Sequence, residues 1–347
     1  MDLCLSDEQQ LIADSAATFL AEASTMPAVR AVSDSAEGID RALWRGIADL
    51  GWCGVHLPEA AGGLGLGLVE LALLQEQLGR RLACVPFFDS VALAASVLRE
   101  LADSPVAQDW LRQLAAGQAI ATLAPQAGCA AVVRATARVA DTGWVLNGDW
   151  PLVGSAALAD VLLLPAQAAS GESLLFAVPA DSMGLQVQPL VTLDATRRTG
   201  AVHAQAVRLP ASGCVGQGPL LDALLTRVQQ LGAIALAAEQ LGVAQQCLDL
   251  TLAYAAQRSQ FDRPIASFQA VKHRCAQMLV VLEGARSAVH GAACMADTAP
   301  DAATLLFYAA QARVTSTEAA QYCAREAIQL HGGVGFTWEF DPHLYFR

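Results

Sequence analysis

A chain of 347 residues has room for two or three domains of the usual ~100–200 residues each. Its 54% hydrophobic, 6% aromatic and 16% charged residues describe an alanine- and leucine-rich, mostly helical protein with a sizeable core and apolar surface to share with other subunits. The formal net charge of −12 excludes nucleic acid as the main partner, because a phosphate backbone needs a basic face. Nine cysteines, an odd count without any Cys-x-x-Cys pair, fit reduced thiols in the cytosol and carry no metal-site spacing. The acidic start, Met1 to Glu8, lacks the layout of a signal peptide, and no stretch reaches ~18 uninterrupted apolar residues, so neither export nor a membrane span is expected.

Ser6-Asp-Glu-Gln9 reads as a capping box, and Leu11, Ile12, Phe19 and Leu20 then share one face of a helix running to about Glu22. Arg41 to Leu50 is a second helix, stopped by Gly51. Pro58-Glu59, followed by Gly62, Gly63 and Gly65, reads as a structural loop, since neither a strand before it nor a phosphate-binding Lys after it supports nucleotide binding. A helix from Leu68 to Leu78 ends at Gly79, and Ser90–Leu101 and Ala107–Ala116 complete a helical domain, 1–117. The period then changes to two. Val132–Ala140 alternates, Gly143–Gly148 runs into an Asn-Gly turn, and Val161–Leu164, Leu174–Val178 and Val202–Leu209 are short β-rich runs, giving a small β domain, 118–217. Helices Leu220–Ala256, Gln269–Ala296 and Ala302–Ala327 form a C-terminal bundle domain, 218–347. The fold class is α+β and mostly helical.

The last helix breaks at Gly332 and Gly333, which serve as a stop followed by close backbone approach to a phosphate or cofactor, with a carboxylate, Glu339, just beyond. An ordinary helix cap with a surface acid explains that segment equally well. A second stretch adds Arg258, Phe261, Ile265, Phe268 and Gln269. Taken with Gln329, Gly332, Gly333 and Glu339, this set resembles the acyl-CoA dehydrogenase family, whose C-terminal domain carries Arg-x-x-Phe-Gly-x-x-Ile-x-x-Phe-Gln, then Gln-x-x-Gly-Gly, then a catalytic Glu; here Asp262 replaces the usual Gly. The loop at Pro58 resembles the family's N-terminal Pro-Glu-x-x-Gly-Gly-x-Gly, and the three-part layout matches over essentially the whole chain, which stops at Arg347 where members usually continue.

The resemblance implies FAD as cofactor, an acyl-CoA substrate, α,β-desaturation with Glu339 as the base, and an electron-transfer flavoprotein as acceptor. Each FAD of the family is shared between subunits, so Arg258 would pair with the pyrophosphate and Phe261 and Phe268 would pack on the cofactor. Gln269 would hydrogen-bond it, and the element of Gln329, Gly332 and Gly333 would receive it, the glycine backbone letting it approach. The ring side departs from the family. Leu123-Ala-Pro-Gln-Ala-Gly-Cys129-Ala stands for Thr-Glu-Pro-x-x-Gly-Ser-Asp, Leu152 and Gly154 stand for Trp-x-Thr, Gln230 and Ala233 stand for an Asp and an Arg, and Gly232 occupies the alternative position of the base. Leu and Gly give a flavin ring neither donors nor a flat partner. The sequence therefore resembles one half of the two-plus-two heterotetramers of unlike dehydrogenase chains found in bacterial sterol side-chain degradation. A self-sufficient homotetramer with Glu339 as base, and a non-enzymatic helical interaction protein, are the other readings. His273 and His331 are expected to be structural, and no metal is expected.

Overall fold

Ser6 opens the first helix as the pattern requires. Its hydroxyl accepts from the Gln9 amide at 3.2 Å, and the Gln9 side chain accepts from the Ser6 amide at 3.0 Å. The computed structural model describes residues 4–125, 134–140 and 142–347. Its helices α1 (Asp7–Ala23), α2 (Met26–Ser33), α3 (Arg41–Asp49) and α4 (Leu68–Arg80) precede a π-wound segment, Phe88–Ala95, and helices α5 (Ser96–Glu100) and α6 (Pro105–Ala115). Strands β1 (Ala121–Leu123), β2 (Arg134–Ala140), β3 (Gly143–Gly154), β4 (Val161–Ala168), β5 (Ser173–Pro179), β6 (Leu185–Pro189), β7 (Thr199–Pro210) and β8 (Cys214–Gln217) follow. Helix α7 (Pro219–Gln257), a short hairpin of β9 (Ser259–Gln260) and β10 (Arg263–Pro264), and helices α8 (Gln269–Asp297), α9 (Ala302–His331) and α10 (Pro342–Phe346) complete the chain. The mostly helical α+β class is as the sequence leads one to expect. Cys129, and Val132 and Val133 at the start of the expected alternation, lie outside the described residues.

The contacts divide the chain into two units. One comprises Val32–Gly67 and Cys84–Gly232, and holds an eight-stranded sheet in the order β6-β7-β3-β2-β4-β5-β8, with β1 added alongside β4. Its pairs are antiparallel apart from β1 with β4 and β2 with β4. Leu98, Leu111, Leu163, Leu175 and Leu225 meet in its core. Asn147-Gly148 does not turn the chain as expected: β3 runs through it, and β7 accommodates the pair with a register shift between Leu146 and Gly148. The Asn147 Oδ1 accepts from the amide of Ala206, itself at φ 53°, at 2.8 Å, so this Asn-Gly signal builds a bulge rather than a hairpin.

The other unit comprises Met1–Ala31, Leu68–Ala83 and Ala233–Arg347. Gly79 does not stop α4, which continues to Arg80. A methyl group at Gly79 would stand 2.1 Å from the Glu239 carbonyl oxygen, and one at Gly242 would stand 1.9 Å from that of Glu76. The two glycines are there because α4 and α7 cross backbone to backbone. Glu76 is buried beside this crossing, 2.7 Å from Arg286 and 3.5 Å from His290. Burial would raise its carboxyl, but the His290 contact and the Arg286 charge together hold it below the ordinary value. Helix α7 is long and apolar enough to cross a bilayer, with a mean hydropathy of 1.3 over its most apolar window, but half of that window is buried within the protein, as in a bundle core.

Three buried histidines give the fold a pH signature. Burial, with the Arg99 charge adding to it, lowers His56 to about 3; burial also lowers His331, and burial with the Arg347 and Arg30 charges lowers His343. The unfolded chain takes up protons near pH 6.5 that the native chain refuses, so stability is complete above that pH and falls as acid is added, for His56 down to about pH 3. Urea midpoints are expected to drop between pH 7.5 and pH 5; a flat or rising midpoint would contradict neutral burial of these rings.

Candidate functional site

The hairpin that follows α7 is pinned at its base. The Arg258 amide donates to the Tyr254 carbonyl at 2.8 Å, and the Arg258 carbonyl accepts from the Ile265 amide at 2.8 Å. Gln260 pairs with Arg263 and Ser259 with Pro264. Phe261 and Asp262 form the tip at φ 56° and 59°, the signature of a turn with two left-handed residues. Asp262 fills a position where glycine is easiest, and aspartate is among the few residues that tolerate it. Phe261 is 85% exposed, its ring 6.0 Å from Phe268 in a T-shaped contact, and the Arg263 guanidinium lies 4.1 Å over Phe268. The Arg258 and Gln269 side chains are exposed, and Arg258 is unpaired among the described residues.

Helix α9 runs to His331 and is ended by Gly332 at φ 66°, so the paired glycines act as the expected stop. Nothing lies within 4 Å of a methyl group placed on either Gly332 or Gly333; their backbone is open to a ligand's approach, and Gln329 is exposed one turn earlier. His331 is buried, its Nδ1 2.7 Å from the Ala327 carbonyl, and its ring stacks on Tyr254 at 4.2 Å with 21° between the planes. Tyr254 is one helical turn before Arg258, so this stack brings the hairpin and the Gly332-Gly333 turn to the same end of the bundle. Arg258, Phe261, Phe268, Gln269, Gln329, Gly332 and Gly333 all belong to this one unit. An exposed guanidinium, a flat aromatic tip and an unobstructed glycine backbone suit a ligand with an anionic linker and a planar end, as the adenine half of FAD has.

Glu339 belongs to the same unit, in surroundings unlike those that raise a carboxyl by burial. A general base for carbon acids benefits from a carboxyl raised by burial. Glu339 is exposed, and a hydrogen bond with Thr337 holds its carboxyl below the ordinary value.

Of the ring-side positions, Gly154 and Gly232 lie in the sheet-bearing unit, and side chains of the chain itself stand against them. A methyl group at Gly154 would stand 2.3 Å from Oδ1 of Asp89, a buried carboxylate that accepts from Ser155 Oγ at 2.6 Å. At Gly232 it would stand 2.4 Å from Cδ2 of Leu93. The π-wound segment supplies both Asp89 and Leu93. Leu152 is 53% exposed on β3, Leu123 is half-buried at the end of β1, and Gln230 and Ala233 are half-buried on α7. A hydroxyl at 154 or a carboxylate at 232 would have to displace its neighbour, so this side fits a flavin ring poorly.

Two family models match the chain: the acyl-CoA dehydrogenase N-terminal domain over residues 6–118 and the acyl-CoA dehydrogenase C-terminal domain over residues 224–347. The chain belongs to the acyl-CoA dehydrogenase family. It is 35% identical over 342 residues to the acyl-CoA dehydrogenase IpdE2 of Mycobacterium tuberculosis, covering 98% of this chain and 90% of that one. Among solved structures, a subunit of the ChsE4-ChsE5 complex of M. tuberculosis superposes with a TM-score of 0.88 at 30% identity, covering 100% of this chain and 92% of the other. A chain of the Tcur3481-Tcur3483 steroid acyl-CoA dehydrogenase, G363A variant, superposes with a TM-score of 0.85 at 34% identity, covering 98% and 91%.

Membership makes the chain an oxidoreductase by family and explains the three-part order of its elements. Sequence reasoning passed over Tyr254, Asp89 and Leu93. Tyr254 could have been found one helical turn before Arg258, and Asp89 as a lone acid in the apolar run from Cys84 to Ala95. Leu93 gave no signal, since its part depends on which residue of α7 it meets.

Proposed function

We propose that this chain is one subunit of a heteromeric FAD-dependent acyl-CoA dehydrogenase, and that it lends the adenine and pyrophosphate half of the FAD site to an unlike dehydrogenase chain in a two-plus-two assembly. The observation that carries this reading is an asymmetry between the two sets of family positions. Arg258 and the Gly332-Gly333 backbone stand open, whereas Asp89 and Leu93 occupy the space at Gly154 and Gly232. In this reading Arg258 pairs with the pyrophosphate, Phe261 and Phe268 flank the adenosine, and Gln269 and Gln329 hydrogen-bond it. Bound FAD supplies the hydride acceptor for desaturation of an acyl-CoA between Cα and Cβ, and an electron-transfer flavoprotein reoxidises the complex. The naming of one similar structure as a steroid enzyme supports a steroid-derived acyl group. The division into 1–117, 118–217 and 218–347 is proposed on the change of element type at each boundary. A cytosolic location is proposed on the free cysteines among the described residues.

Purified alone, the chain is expected to hold well under one flavin per polypeptide; co-expressed with its partner, it is expected to form a yellow complex with about one FAD per pair of unlike chains. One FAD per chain in a stable homotetramer would remove the heteromer reading. In the assembled complex, Glu339→Gln is expected to leave flavin reduction by acyl-CoA within about threefold of the parent, against the ~10²–10⁴ loss that follows removal of a general base. Stopped-flow bleaching of the flavin measures this, and a collapse in rate would make Glu339 the base.

A further inference from the structure

Three segments of the bundle unit meet in one aromatic cluster that no assigned role uses. Tyr254 stacks on His331, and the Phe340 ring closes on both edge-on, at 6.0 Å from Tyr254 and 6.1 Å from His331. Each ring borders a piece of the proposed cofactor face. The Tyr254 carbonyl holds the amide of Arg258, and His331 directly precedes Gly332, where the backbone turns to φ 66°. Phe340 follows Glu339 on the segment leaving that turn. The imidazole is fixed in plane and tautomer: Nδ1 carries the proton donated to the Ala327 carbonyl, and the ring is buried and neutral. The hairpin tip is 85% exposed, and the turn carries two glycines, the residue with the freest backbone. Among the described residues, no other hydrogen bond or ring contact ties one to the other.

We infer that the Tyr254–His331 stack is a positioning element that fixes the distance between the Arg258 guanidinium and the Gly332-Gly333 backbone, so that one pyrophosphate-bearing ligand engages both. The inference rests on the proposed adenine-end assignment, and its consequence is kinetic as well as structural. Two contacts held at a fixed separation act on one ligand without a new ordering cost, whereas two loose contacts must each be ordered at the time of binding. Flat faces are what the stack requires, so the variant that tests it removes the flat face and leaves an apolar side chain in its place.

The complex purified through a tag on this chain is the material, and the rate of FAD release on dilution into chaotropic salt is the reading. Tyr254→Leu and His331→Leu are expected to release FAD about tenfold faster, as loss of an aromatic pair and of preorganisation implies. His331→Phe and Tyr254→Phe, which keep the face, are expected to release it within about twofold of the parent, with the subunit ratio equal across the set. Release from the leucine variants at the parental rate, while Arg258→Ala loses its flavin, would overturn the positioning role and leave the adenine-end assignment standing. Equal loss from the phenylalanine and leucine variants would overturn it too, by showing that the ring face is not what matters. Full retention by Arg258→Ala would sink the assignment itself and this inference with it. Should a leucine variant fail to assemble, Phe340→Leu, which opens the cluster from its edge, is expected to speed release by a smaller factor, and no change there would count against the role.

Discussion

Arg258→Ala is expected to strip FAD from the assembled complex, weakening retention about 30- to 100-fold, the equivalent of the ~2–3 kcal/mol carried by a charge-assisted contact to phosphate. Among the described residues the guanidinium has no partner to lose, so the substitution should leave the fold untouched and act on the ligand alone. Arg258→Lys should recover part of the affinity, because it restores the charge but not the planar fork that meets two phosphate oxygens at once. Flavin absorbance after gel filtration at a fixed salt concentration checks both variants. Parental flavin content in Arg258→Ala would place the adenine end elsewhere.

Gly242→Ala is expected to destabilise the chain by about 3 kcal/mol, although alanine is the better helix former by ~1 kcal/mol. The added methyl group would stand 1.9 Å from the Glu76 carbonyl oxygen, a backbone atom that cannot swing aside, so α4 and α7 must separate. Separation would also pull apart Glu76 and Arg286, whose 2.7 Å pairing keeps a buried carboxylate charged. Gly284 supplies the control. It is exposed on α8 with nothing within 4 Å of a methyl group, and Gly284→Ala should stabilise by ~0.5–1 kcal/mol. Urea unfolding of the two variants against the parent measures the contrast, and equal or stabilising effects of both would refute the close crossing.

The sequence by itself determined much of the local structure and named the residues proposed for the adenine end of the site. Helical spacing, the Ser6 capping box and the run from Arg258 to Gln269 are written over short distances in the chain, and a helix stop at Gly332 follows from glycine's own conformational freedom. The same signals misled where a residue answered to a distant neighbour. Gly79 looked like a helix end and is a crossing point, because the atom it makes room for is the Glu239 carbonyl oxygen; Asn147-Gly148 looked like a turn and is a bulge set by its pairing with β7. Gly154 and Gly232 could be seen in the sequence as losses, but only the folded chain decided what replaced them, since Asp89 and Leu93 reach those positions from a segment far away in sequence. Exposure of the Glu339 carboxylate was likewise decided by packing: a residue type announces what chemistry it could do, while its ionisation depends on the dielectric and hydrogen bonds that tertiary structure puts around it.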